Sequence, residues 1–169
     1  MRMPDTKTLF LMRHAKSSWD DPSMEDIDRP LNKRGKRDAP EMGRRLSEYG
    51  VKPTIVVSSP ARRALRTAEK VSAELGLEKR DIRIDEHVYS WDSDAVLKVI
   101  NELDDKYKSA MVVFHNPAII DLVNELTSGD INNVPTCGVA IIGFDTDKWS
   151  GVKKGKGKLL KFDYPKKLR

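Results

Sequence analysis

Two histidines and a group of arginines stand where short apolar runs end. Arg13 and His14 close the run 8–12, and His115 closes the run 110–114. A third run, 54–57, ends in the turn Ser58-Ser59-Pro60, with Arg62 and Arg63 just beyond it. Apolar runs of this length bounded by turn residues read as buried strands. In an open α/β sheet, ligands bind beyond the carboxyl ends of the strands. Side chains about 100 residues apart in sequence should therefore meet at one edge of the sheet. Helix N-termini and guanidinium forks both favour a dianionic phosphate. No one of these features is specific, and either histidine alone reads more readily as structural. Their coincidence at three strand ends predicts a phosphate site.

The elements that must position these residues alternate between strand-like and helical patterns, which predicts an α/β fold with a largely parallel sheet. Residues 15–30 are polar and rich in Asp and Ser, and read as a loop. Asn32 is placed to cap a helix through residue 49 that aligns Ala39, Met42, Leu46 and Tyr49, with Pro40 expected to kink or divide it. Ser59 is placed to cap, and Pro60 to open, a helix ending near Gly76. Residues 82–84 form a weak strand and 94–103 a helix. Asn116 is expected to cap, and Pro117 to open, a helix to about residue 127. Beyond Pro135, segments 138–144 and 158–162 predict an antiparallel hairpin at the sheet edge. No repeat or linker divides the chain, so residues 1–169 read as one domain.

Composition narrows the functional classes. With 169 residues the chain is long enough to bury one ordinary core. No apolar run approaches the roughly 20 residues that span a bilayer, and the polar residues before Thr8 lack the shape of a signal peptide. A single cysteine, Cys137, excludes an internal disulfide framework and suits a reducing cytoplasm; it reads as a small buried hydrophobe. The net charge of +5 is local: residues 148–169 hold nine Lys or Arg against Asp163 alone, which leaves residues 1–147 net negative. The lysine-rich stretch 153–158 has no interleaved aromatics for base stacking, so a solvated hairpin end is expected rather than a nucleic-acid site. His87 and the pair Arg62 and Arg66 read as surface groups.

Four ordered motifs resemble the histidine phosphatase superfamily, the group of cofactor-dependent phosphoglycerate mutases and many phosphatases. These are Arg13-His14-Ala15-Lys16-Ser17-Ser18-Trp19-Asp20, Pro30-Leu31-Asn32-Lys33-Arg34-Gly35, Ser58-Ser59-Pro60-Ala61-Arg62-Arg63-Ala64 and Phe114-His115-Asn116-Pro117. The short length and the Ala-Lys-Ser after His14 most resemble SixA-type phosphohistidine phosphatases. The resemblance implies a phosphoglycerate mutase-like three-layer sandwich with a mostly parallel central sheet and an antiparallel edge. It implies that His14 attacks phosphorus, that Arg13 and Arg63 hold the phosphoryl oxygens, and that His115 donates to an oxygen gaining charge. It implies no cofactor, and no clustered metal-ligand set stands in the sequence.

Two departures from the family pattern matter. Ala15, Lys16 and Asp20 replace the more usual Gly, Glu and Asn, so Asp20 is given no phosphate contact. The general acid of mutases and broad ester phosphatases has no clear counterpart; Asp85 and Glu86 are nearest, in a segment that does not match. A missing acid favours a substrate whose leaving group departs easily, such as phosphohistidine in a protein. A small-molecule phosphomonoesterase using Asp85, Glu86 or Glu25 is the alternative, and a phosphate-sensing binding module is a third. Trp19 is expected either over the pocket mouth or in plain loop packing.

Overall fold

The computed structural model describes residues 6–50 and 52–168. Residues 1–5, on which the expectation of a polar start without a signal peptide rests, lie outside the described residues. Strands β1 (Lys7–Arg13), β2 (Ile55–Ser58), β3 (Ile82–Ile84), β4 (Ser109–Phe114), β5 (Val139–Phe144) and β6 (Lys158–Asp163) form one sheet in the order β3-β2-β4-β1-β5-β6. The first four strands in that order pair in parallel, and the β1–β5 and β5–β6 pairs are antiparallel. Helices α1 (Lys33–Ser47) and α2 (Arg62–Glu74) cover one face, and α3 (Ser93–Asn101) and α4 (Ala118–Thr127) the other. The strand alternation explains both layers. Phe10, Met12, Met111 and Val113 pack with α1 and α2, whereas Leu9, Leu11, Val112 and Phe114 pack with α3 and α4.

Helix α1 starts as expected, with the Asn32 side chain accepting from Gly35 N at 2.9 Å. Pro40 does not divide it: the helix is continuous from Lys33 to Ser47. The carbonyl that Pro40 cannot serve belongs to exposed Lys36, where water can satisfy it. Two other helix starts differ from expectation. Helix α2 begins at Arg62, because Ser59 Oγ accepts from Ala61 N at 3.1 Å and holds a turn before the helix. Helix α4 begins at Ala118 without a side-chain cap, since the Asn116 amide donates instead to Asn133 Oδ1 and Val134 O, both at 3.1 Å. The lysine-rich connection before β6 is partly tied down: Lys154 pairs with Asp94 at 2.9 Å and Glu125 at 3.3 Å, and Gly157 N donates to Leu126 O. Among the described residues no helix is long and apolar enough to cross a membrane.

Candidate active site

The chain order reverses between β1 and β4. From β1 it proceeds through α1 to β2 and β3; from β4 it proceeds through α4 to β5, on the far side of β1. The helices following β1 and β4 therefore leave by opposite faces and part beyond the strand ends, which opens a crevice there. His14 follows β1 and His115 follows β4. The two strands are in register, Arg13 opposite Phe114, and His14 N continues the ladder to Phe114 O at 3.1 Å. The ring centroids lie 5.2 Å apart, with the ring planes tilted by 52°. A cavity of about 410 Å³ opens over them; among the described residues it is lined by four cations, Arg13, Lys16, Arg29 and Arg63, against a single carboxylate, Asp26.

His14 is buried, and its Nδ1 lies 2.8 Å from Ala15 O. A carbonyl only accepts, so Nδ1 carries the ring proton and Nε2 presents a lone pair. Burial, reinforced by the charges of His115, Arg63 and Arg13, holds this histidine well below the ordinary value, although the bond to Ala15 opposes the shift. The ring is neutral at pH 7. Arg63 Nε stands 3.4 Å from Nε2.

His115 is held from two sides. Its Nδ1 lies 3.4 Å from Arg63 Nη2, which can only donate, so the proton sits on Nε2 and is given to Ser59 Oγ at 2.8 Å. Burial and then the Arg63 charge lower its pKa to about 4. Arg13 donates Nη1 to Val134 O at 3.0 Å, while its Nε is buried without a hydrogen-bond partner among the described residues. A buried donor of this kind, beside two neutral imidazoles, suits an incoming oxyanion.

Arg63 is anchored by Asp26, through Nη1 to the backbone oxygen at 2.7 Å and Nη2 to the carboxylate at 3.0 Å. The same carboxylate accepts from Tyr89 Oη at 2.6 Å and pairs with Arg29 at 3.2 Å. Burial would raise the Asp26 pKa, but the bonds from Tyr89, Arg63 and Arg29 outweigh it and hold it at about 2. Arg29 also donates to Ser17 Oγ at 2.7 Å and stacks 3.5 Å over the ring of Trp19.

The structure thus brings Arg13, His14, Arg63 and His115 together. It does not bring Asp85 or Glu86 to them. Asp85 accepts from His87 N and pairs with His87 Nδ1, both at 2.9 Å, and lines a separate cleft with Arg83 and Lys98. Glu86 is exposed at the start of the single turn Glu86–Val88. It is Tyr89, just past that turn, that reaches the cavity. Glu25 and Asp20 are exposed and do not line it, while Trp19 stands at its mouth, 71 % exposed. Arg62, Arg66 and His87 are exposed and Cys137 is buried, as their sequence contexts suggested. Asp26, Arg29 and Tyr89 were not legible as site residues. Arg29 does carry a signal, standing immediately before the Pro30-Leu31 motif; Asp26 and Tyr89 carry none, being joined to the site only by folding. Among the described residues no three His, Cys, Asp or Glu side chains converge as a metal site would require.

Residues 9–96 match the histidine phosphatase superfamily (branch 1), and the chain belongs to that family. An uncharacterised protein of Mycobacterium leprae is 30 % identical over 167 residues, covering 92 % of this chain and all of its own. A 2,3-bisphosphoglycerate-dependent phosphoglycerate mutase of Thermobifida fusca is 36 % identical over 88 residues, 48 % of this chain and 36 % of the mutase. Among solved structures, the protein histidine phosphatase SixA complexed with tungstate superposes with a TM-score of 0.80 at 25 % identity, over 96 % of this chain and 99 % of SixA. The sandwich expected from the motifs is therefore SixA-like in structure as well.

Proposed function

We propose that this chain is a phosphatase that forms a covalent phosphohistidine on His14 Nε2 and acts on phosphohistidine in proteins. The observation that carries the reading is the proton placement on His14. With Nδ1–H committed to Ala15 O, the unprotonated Nε2 presents its lone pair at the floor of a cationic cavity, where it accepts only a long contact of 3.4 Å from Arg63 Nε. In the first step Nε2 bonds to phosphorus while the bond from phosphorus to the leaving group breaks. In the second, water bonds to phosphorus, the P–Nε2 bond breaks, and inorganic phosphate leaves. Arg13 and Arg63 would hold the phosphoryl oxygens, and His115 would turn its N–H from Ser59 to the charge developing on them; such electrostatic stabilisation is most of what phosphoryl transfer requires. The positive charge comes from side chains, so the reaction needs no metal.

The leaving group decides the substrate class. Asp26, the one carboxylate lining the cavity, is ionised and engaged with Arg63, Arg29 and Tyr89, which makes it a poor proton donor. A phosphohistidine protonated on its second ring nitrogen departs as neutral imidazole and needs no proton from the protein. An alkoxide does need one. The SixA likeness and the buried, single Cys137 agree with action on a phosphoprotein in the cytoplasm. The test is kcat/KM on a phosphohistidine peptide against glycerol, sugar and serine phosphates. A clear preference for the peptide is expected, and sugar phosphates hydrolysed as fast would replace this reading with a small-molecule phosphomonoesterase.

A further inference from the structure

Beside the catalytic cavity runs a second, exposed groove between α1 and α2. Among the described residues its charged walls are Lys36, Arg62, Arg66, Lys70 and Lys79, against a single carboxylate, Glu69, which is paired with Arg66 at 3.2 Å. Lys36, Arg62, Lys70 and Lys79 have no ion-pair partner among the described residues. This concentration is not a background property of the chain, because residues 1–147 are net negative. The groove adjoins the cavity through the backbone: Arg62 precedes Arg63, and Pro30 and Leu31, in its wall, follow Arg29.

We propose that this groove docks an acidic, extended segment of the phosphoprotein substrate, next to the phosphohistidine it delivers to His14. The inference rests on the phosphohistidine reading above and adds what must flank the phosphorylated residue. Its geometry favours an extended chain. Arg62, Arg66 and Lys70 recur every fourth residue of α2, about 6 Å apart along the axis. Alternate side chains of an extended peptide are about 6.6 Å apart and lie on one side. Carboxylates at every second position therefore match the row of cations. A nucleic acid is disfavoured, since among the described residues no aromatic side chain lines the groove to stack a base. A membrane surface is disfavoured too, because its apolar wall is only Pro30 and buried Leu31. Exposed cations of this kind act mainly by steering encounter, which raises association about 10- to 1000-fold at low salt and fades as the screening length shrinks.

The experiment uses two fluorescent peptides of equal length, with Glu or Gln at alternate positions, each prepared with and without phosphohistidine. Anisotropy of the unphosphorylated forms reads docking, and kcat/KM of the phosphorylated forms reads delivery. The Glu peptide is expected to bind at least about tenfold more tightly, to be hydrolysed with a correspondingly higher kcat/KM, and to lose both advantages in 0.5 M NaCl. Lys36→Glu/Lys70→Glu, which changes both helices of the groove, should abolish the difference while turnover of phosphoramidate stays unchanged. Equal binding of the two peptides at low salt, or a preference that survives the double substitution, overturns the proposal. So does tighter binding of an oligouridylate of matched charge, which would make nucleic acid the partner. Charge-dependent docking of a Glu peptide whose phosphohistidine is not hydrolysed would keep the groove and overturn the substrate reading instead.

Discussion

His115 should make the protein less stable in mild acid, by an amount that follows from its environment. Its pKa is about 4 in the folded chain, against about 6.5 for an unfolded histidine. The folded state therefore binds fewer protons than the unfolded state between these values, and stability must fall as pH falls through that window. The full loss is 2.5 pKa units, or about 3 kcal/mol at 1.36 kcal/mol per unit; about 2 kcal/mol of it is already gone between pH 7.5 and pH 5. His14, also depressed, adds a loss of the same sign. Asp26, held at about 2, adds almost no slope between pH 7.5 and pH 5, because an unfolded carboxylate at about 3.9 is also almost wholly ionised there. The assay is urea unfolding of wild type and His115→Gln at both pH values. The variant keeps a side-chain amide able to reach Ser59 but cannot take up the proton, so its stability should drop by about 2 kcal/mol less. Parallel losses in the two proteins would show that His115 is not held deprotonated by the fold, and would refute the account of the site as a neutral histidine pair among arginines.

Four further outcomes are expected. His14→Ala should lose essentially all turnover while keeping its fold, and acid-labile, base-stable phosphate should be trapped on wild type but not on the variant. Asp26→Asn should lower kcat/KM about 10- to 100-fold, because Arg63 keeps its bond to the backbone oxygen but loses the carboxylate that fixes Nη2, with retention of secondary structure by circular dichroism separating this from unfolding. Asp85→Asn and Glu86→Gln should each change phosphohistidine hydrolysis less than about tenfold, whereas removal of a working general acid costs about 10²–10⁴-fold. Gly35→Ala should destabilise by about 2 kcal/mol in denaturant titration, since its Cβ would lie 2.2 Å from Lys16 O in the loop that follows His14.

How much of this was legible in the sequence follows from which interactions are local. The strands were readable because β1, β2 and β4 are buried on both faces, so each is a short unbroken apolar run with a polar stop. Those stops placed Arg13, His14, Arg63 and His115 at one edge. Helix starts were less readable, because Ser59 and Asn116 have capping chemistry that the fold uses elsewhere: Ser59 Oγ meets His115, and the Asn116 amide crosses to Val134. The anchor of Arg63 was not readable at all. Asp26 lies 37 residues from Arg63 and 63 from Tyr89 in a stretch without periodicity, and only tertiary packing joins them. The same holds for the acids, since nothing local distinguishes Asp85, committed to His87, from an acid facing the cavity.

The in-register pairing of β1 and β4 has a consequence for how such a fold can diversify. Because His14 and His115 each follow directly on a hydrogen-bonded neighbour strand, their separation is inherited from the spacing of peptide chains in a sheet, about 4.8 Å. Loop remodelling has little purchase on that distance, and neither has substitution in the helices. The histidine pair is thus insulated from drift in the rest of the chain. What stays free to vary is the rim, Trp19 on one loop and Tyr89 with Trp91 on another, none of which the sheet constrains. A scaffold divided in this way can reshape its cavity mouth by rewriting two surface segments, while the spacing of the two histidines is set by the geometry of the backbone.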